Sequence, residues 1–279
     1  MSESGGIIDQ GRVFGHDITE IAKKFSIKTY NVSDLNSVYA DLPKKGFGII
    51  IISGMSEAHS SFATNAPAYP NFAVTPLVGW IAGIHLDNLG KTTPKVWSGK
   101  SGMVDNGAVV MQVEVEEGII PNLDILNLFE QGDGDSIKFP EAGFSAKEAI
   151  VNGEKVNFSD YMKAKNVDSR WPLVANYAGA MINVSFQGVD EGNKVVNFYA
   201  PVFPNVEYKL AKPIENYASQ FEKSIPQEAG DLTFSCNCIL NFLYGELEGK
   251  QINVNGPMTF GEIAYQLLNQ TMVYVTLDK

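Results

Sequence analysis

Ile49, Ile50, Ile51 and Ile52 stand in a row, preceded by Gly46-Phe47-Gly48 and followed by Ser53-Gly54. β-Branched side chains are stiff at χ1 and pack well on a pleated strand. The run is continuous rather than alternating, so both faces of that strand must be covered by other parts of the chain. The segment therefore predicts a central strand in a layered fold. Val78 to Leu86 predicts a second strand, in which Gly79 and Gly83 leave room for close approach by another group. Trp80, between them, is expected in the core or on an aromatic pocket wall. Lys95-Val96-Trp97 and Ala108 to Val115 extend the sheet; Val109, Met111, Val113 and Val115 alternate as in a half-buried strand.

Around these strands the chain offers short helical patterns: His16 to Phe25, Ser33 to Leu42, Phe144 to Ile150, Phe158 to Ala164, Pro213 to Glu222 and Cys238 to Leu247. Ser53 to Pro76, with Pro67, Pro70 and Pro76, reads as a long irregular segment, and Asn122 to Phe129 as a further apolar stretch. Gln131 to Ser136 and Val151-Asn152-Gly153-Glu154 read as turns. Strands are expected at Leu173 to Ala175, Ala180 to Gln187, Val195 to Tyr199, Leu232 to Cys236 and Met272 to Leu277, with Asp190-Glu191-Gly192-Asn193 as a hairpin turn. Strand pairs joined by short turns predict an α/β fold with mixed, largely antiparallel sheets flanked by helices. The 279 residues suffice for one large domain or two of ordinary size. The expected division is a mobile tail over residues 1–15, an α/β domain over 16–142 and a second domain over 143–279.

The net charge of −11 repels phosphate backbones and anionic membrane surfaces, so neither nucleic acid nor membrane is expected as a partner. The start, Met1-Ser2-Glu3-Ser4-Gly5-Gly6, has neither the basic stretch nor the apolar core of an export leader. The apolar run Phe47 to Ile52 is far too short to span a bilayer. The two cysteines, Cys236 and Cys238, are one residue apart, a spacing that strains a disulfide. Reduced thiols and a cytoplasmic location are the expectation.

The end of the chain carries its most specific pattern. Phe234-Ser235-Cys236-Asn237-Cys238 closes an apolar run, Gly256-Pro257-Met258-Thr259-Phe260-Gly261-Glu262-Ile263 follows, and Asn269-Gln270-Thr271-Met272-Val273 opens a last strand. That order resembles the C-terminal domain of the FIST family. There an apolar strand runs into Phe-Ser-Cys, a helix leads to a strand ending in Gly-Glu-Ile, and a final strand follows a polar turn. The resemblance covers about residues 145–279, with Ala149 to Tyr161 as the domain's opening and Phe198 to Ala211 as its middle. The first half resembles a shortened FIST N-terminal domain around Gly79 to Gly83. The resemblance implies a FIST-like fold and a non-catalytic sensory role. The ligand would be a small molecule such as an amino acid or small organic acid, and the signal would pass to a separate signalling protein. The family often places Gly-Arg shortly after Phe-Ser-Cys; here Cys238-Ile239 stands in its place, without that anchor for an anion.

The candidate ligand-binding residues are Glu262 with its neighbour Gly261, the cluster Cys236, Asn237 and Cys238, and Trp80, His85 and Arg170. A carboxylate inside an otherwise apolar strand is either solvated or part of a pocket, and Glu262 is the leading candidate for the second. Arg170, beside Trp171, is a candidate carboxylate clamp, against the commoner surface ion pair. A thiol where a strand enters a helix can be activated by the helix N-terminus, so the alternative is an enzyme using Cys236 or Cys238 with His59 or His85 as base. Against it, free cysteine usually packs as a small hydrophobe. His16, His59 and His85 have no zinc-like spacing to the cysteines, and Asp133-Gly134-Asp135-Ser136 fails as a calcium loop because Phe144 falls where the closing glutamate belongs. The glycine-rich stretches lack the phosphate-loop lysine and the dinucleotide fingerprint, so neither metal nor cofactor is expected. A subunit of a larger assembly, with oligomer formation, is a third reading.

Overall fold

The computed structural model describes residues 6–9, 12–13, 16–17, 22–88, 90–177, 179–225, 234–244 and 256–278. Its centre is a six-stranded sheet in the order Gln266–Leu268, Glu262–Ala264, Leu77–Ile81, Gly46–Ile52, Gly107–Val115, Ala22–Asn31. The isoleucine strand Gly46–Ile52 lies inside it, parallel to Leu77–Ile81 and antiparallel to Gly107–Val115, and every one of its residues is buried. One face carries Phe47, Ile49, Ile51, Val78 and Trp80 against Phe234, Cys236, Val273 and Val275 of a second sheet. That sheet has the order Ile120–Leu126, Met272–Asp278, Phe234–Cys238, Met258–Thr259. The other face carries Ile50, Ile52, Leu77 and Ile81 against Ala58 and Phe62 of the helix Glu57–Asn65 and against Leu35 and Val38. Coverage of both faces is what a continuous β-branched run demands; each such side chain contributes about 2 kcal/mol on burial.

A second lobe is antiparallel. Six strands run in the order Glu154–Asn157, Glu148–Val151, Ile137–Lys138, Tyr208–Leu210, Leu173–Tyr177, Ala180–Val184, and three more in the order Gly143–Ala146, Val195–Val202, Phe186–Asp190. They close around Phe139, Phe158, Phe186, Phe198 and Tyr208. The whole is an α/β fold of mixed, largely antiparallel sheets with a few helices. The chain crosses the 142/143 line repeatedly: Glu262–Ala264 pairs with Leu77–Ile81, and Met272–Asp278 pairs along its full length with Ile120–Leu126. Within the expected tail, Gly6–Asp9 is a strand parallel to Val96–Ser98. Among the described residues, no helix is long and apolar enough to cross a membrane.

Several local expectations are corrected. The helix expected over His16 to Phe25 is absent: His16–Asp17 and Ala22–Asn31 are strands, and 18–21 lie outside the described residues. Phe25 and Ile27 face the core two residues apart, so the pairing of this segment with Gly107–Val115 overrides a helical spacing that only its first half offers. Phe144 to Ile150 likewise forms parts of two strands, because Ala149 and Val151 alternate with exposed neighbours. Ser33 to Leu42 holds only the 3-10 turn Leu35–Ser37; the Asn31 and Asp34 side chains accept hydrogen bonds from the Ser33 and Asn31 backbone N–H groups, in competition with a helix. The segment Ser53 to Pro76 is not irregular throughout: Glu57–Asn65 is helical, capped by Ser56 Oγ, which accepts from His59 N at 3.1 Å. The strand at Val78 stops at Ile81, and the helix expected from Pro213 starts at Tyr217. Of Leu232 to Cys236 and Cys238 to Leu247, residues 232–233 and 245–247 lie outside the described residues.

Candidate functional site

The chain's ending is built as a buried polar knot between the two central sheets. In the strand Glu262–Ala264, period-two alternation sends Ile263 to the helix-covered face and Ala264 toward the facing sheet, and Glu262 shares the side of Ala264. The Glu262 carboxyl is fully buried, with Oε1 2.7 Å from Thr259 Oγ1 and Oε2 accepting from Thr271 Oγ1 at 3.0 Å and Thr271 N at 3.4 Å. Burial pushes its pKa up to about 8, against the lowering effect of the threonines and of the Cys238 thiol. Thr259 Oγ1 donates to Glu262 Oε1 and also lies 3.2 Å from Asn237 O, so its one hydrogen has two acceptors within reach.

Both thiols are buried beside this carboxyl. Cys236 Sγ donates to Gly79 O at 3.1 Å. Burial, then the neighbouring Glu262, raises both thiol pKa values well above the ordinary thiol value, and no histidine is among their charge or hydrogen-bond partners. Thiols held neutral are poor nucleophiles. Iodoacetamide at pH 7.5 is expected to label Cys236 and Cys238 slowly in the folded protein and rapidly in denaturant; fast labelling of either in the native state, read by mass spectrometry, would restore the thiol-enzyme reading.

In front of the knot lies a cavity of about 290 Å³ between the lobes. The start of the helix Glu57–Asn65, the second-lobe residues Phe144, Phe198 and Tyr199, and the helix Ile239–Tyr244 all contribute to its wall. Ile81, Leu240 and Phe260 close the apolar lining, and the exposed Met55 and Leu243 stand at the mouth. Two polar side chains in this lining have an unmatched atom. His59 Nε2 is shielded from solvent without a hydrogen-bond partner, its ring set edge-on to Phe144 at 5.6 Å. Burial pushes the His59 pKa down to about 4, so the imidazole is neutral at physiological pH. Asn269 Oδ1 accepts from Ser185 N at 2.9 Å and Ser185 Oγ at 2.6 Å. The backbone donor fixes which end of the amide is oxygen, and it leaves Asn269 Nδ2 a buried donor without an acceptor.

Comparison with known families decides the assignment, because the family model matches residues 1–278. The chain belongs to DUF6976, a family of unknown function. No curated protein and no solved structure matches it. The match takes in both lobes and the ending, so the cavity between them lies inside the DUF6976 unit.

In this DUF6976 chain the expected site residues scatter. Cys238 reaches the cavity wall. Glu262 sits behind it, touching the Cys238 thiol rather than the cavity. Asn237 is buried in the knot, where its Oδ1 accepts from Asn241 Nδ2 at 2.9 Å, and Gly261 O accepts from Ile81 N at 2.9 Å. Cys236 and Trp80 are core, the indole stacked on Phe234 at 5.9 Å. His85 is half exposed beside Asp87, and Arg170 pairs with Asp168 at 2.6 Å on the surface. His59, which the sequence offered as a ligand contact or an acid/base group, lines the cavity, as do Asn269, Phe144 and Phe198. A signal for Asn269 existed in the polar Asn-Gln-Thr turn; none existed for the phenylalanines, whose side chains read simply as core. Among the described residues, no group of His, Cys, Asp or Glu is placed to hold a metal.

Proposed function

We propose that this chain is a non-catalytic small-molecule-binding protein whose ligand occupies the cavity between the lobes, with a sensory role exercised through a separate protein. One observation carries the reading: a largely apolar cavity lined in part by His59 and Asn269, each of which has a buried polar atom without a partner, Nε2 and Nδ2. Orphaned buried polar atoms cost on the order of 1–3 kcal/mol each, a cost that a bound molecule relieves. The FIST-like order of the ending supports a role of the same kind. The neutral thiols and neutral His59 argue against the cysteine-enzyme alternative, which needs a thiolate and a base beside it.

A melting screen of the full chain against a broad panel of small organic molecules tests this. A ligand at a hundred times its Kd adds about 2.7 kcal/mol, which raises the melting temperature by several degrees. At least one compound is expected to do so in the wild type and to lose the effect in Leu243→Trp, which fills the mouth from an exposed position. Failure of the whole panel, or shifts that survive Leu243→Trp unchanged, would remove the cavity as a binding site.

A further inference from the structure

We infer that the ligand is an uncharged, largely apolar molecule the size of about two fused rings, carrying an acceptor for Asn269 Nδ2 and a polar group for His59 Nε2. This rests on the proposal that the cavity is a binding site. Size comes first: an apolar cavity of about 150 Å³ holds one benzene ring, and this one is about 290 Å³. Shape follows from the wall, where the aromatic residues Phe144, Tyr199 and Phe260 suit aromatic partners. Charge is decided by what the lining omits. Among the described residues no Lys, Arg, Asp or Glu lines the cavity. The Glu262 carboxyl, behind Cys238, is itself protonated below about pH 8. His59 is neutral and supplies no positive charge. A carboxylate or an ammonium entering here would lose its water without gaining a counter-charge.

Ser60, Gln187 and Tyr199 also line the cavity, but the buried atoms without partners belong to Asn269 and His59. Asn269 presents a donor because its oxygen is held by Ser185, so the ligand must present an acceptor. His59 Nε2 pairs with a hydroxyl, an N–H or an acceptor according to the tautomer it adopts. The class departs from the amino acid or organic acid that the FIST-like ending implies, and it agrees with the absence of an arginine after Phe-Ser-Cys.

Four probes of one ring system separate the possibilities: naphthalene, 2-naphthol, 2-naphthoate and 2-naphthylmethylammonium, titrated into the full chain by calorimetry at pH 7. The expected order places 2-naphthol at least tenfold tighter than the other three. His59→Phe brings 2-naphthol to the level of naphthalene, His59→Gln retains part of the difference, and circular dichroism of both variants establishes that they fold. Leu243→Trp, at the exposed mouth, weakens every probe that binds. Binding of 2-naphthoate or the ammonium as tight as that of 2-naphthol would overturn the ligand class and leave the cavity as a binding site. Failure of all four probes alongside a hit in the broad melting screen would do the same. Failure in both experiments would remove both proposals.

Discussion

Replacing Glu262 with glutamine is expected to remove the loss of stability that this carboxyl causes as pH rises from about 4.5 to 8. The ordinary value for this carboxyl is 4.5, and burial in the fold pushes it up to about 8. The folded state therefore prefers the protonated acid. Below pH 4.5 both states hold the proton and the stability of the site is fully present. As pH rises through the window the unfolded chain ionises first, and stability falls by about 1.4 kcal/mol per pH unit, up to about 4–5 kcal/mol in all. Glutamine has no proton to lose. Its carbonyl accepts from Thr271 N and Oγ1 as the carboxyl oxygen does, and its amide occupies the same place beside Thr259. At pH 7.5 Glu262→Gln is expected to exceed the wild type by roughly 4 kcal/mol; at pH 5 the two should agree within about 1 kcal/mol. His59 works in the opposite sense, its contribution being lost as pH falls from 6.5 toward 4, but it is common to both proteins and cancels in the difference. Urea unfolding of the two proteins at several pH values measures this directly, and parallel curves would show that Glu262 ionises normally in the fold. Glu262→Ala is the counter-test: it leaves two threonine hydroxyls and a void in the core, and should cost about 3 kcal/mol even at pH 5.

The isoleucine run was legible because its chemistry permits one answer: a strand covered on both faces, in a layered fold. Turns were legible for a similar reason, since Asn152-Gly153 and the stretch around Gly192 are local signals that do not depend on distant partners, though only the second was read as a hairpin. What failed was periodicity in short segments. Phe144 to Ile150 fits a helix or a strand hairpin equally well, and the choice is made by Val196 and Lys155, across the pairing partners, which no local pattern reveals. The site divided along the same line. Glu262 was visible because a carboxylate in an apolar strand is anomalous anywhere, and it is indeed buried. Its position behind the cavity rather than in it is set by the register between Glu262 and Trp80, a long-range fact. Phe144, Phe198 and Asn269 meet only in the folded chain, so the cavity they share had no counterpart in the sequence.

Gly79→Ala is expected to prevent the protein from folding under ordinary conditions. The glycines of the second strand suggest room for some approaching group, and the structure shows that the group at Gly79 is backbone. A Cβ placed on Gly79 lies 1.8 Å from Ile50 O, 2.7 Å from its carbonyl carbon and 2.9 Å from Ile50 N. Ile50 is in the middle of the fully buried central strand, paired to Gly79 in register, so neither side can retreat without opening the parallel ladder from Gly48 and Leu77 to Ile52 and Ile81. The same movement would displace Gly79 O, which receives the Cys236 thiol, and Ile81, which lines the cavity. A loss of more than about 4 kcal/mol follows, a large part of the roughly 5–15 kcal/mol that holds a typical protein together. Gly134→Ala provides the control, because a Cβ there meets nothing within 4 Å; it should change stability by less than about 0.5 kcal/mol. Soluble yield and a thermal melt by circular dichroism distinguish the two. A Gly79→Ala protein that melted with the wild type would mean that the Leu77–Ile81 strand does not lie beside Gly46–Ile52 in this register. The cavity wall at Ile81 and the packing behind Cys238 would then both need to be redrawn.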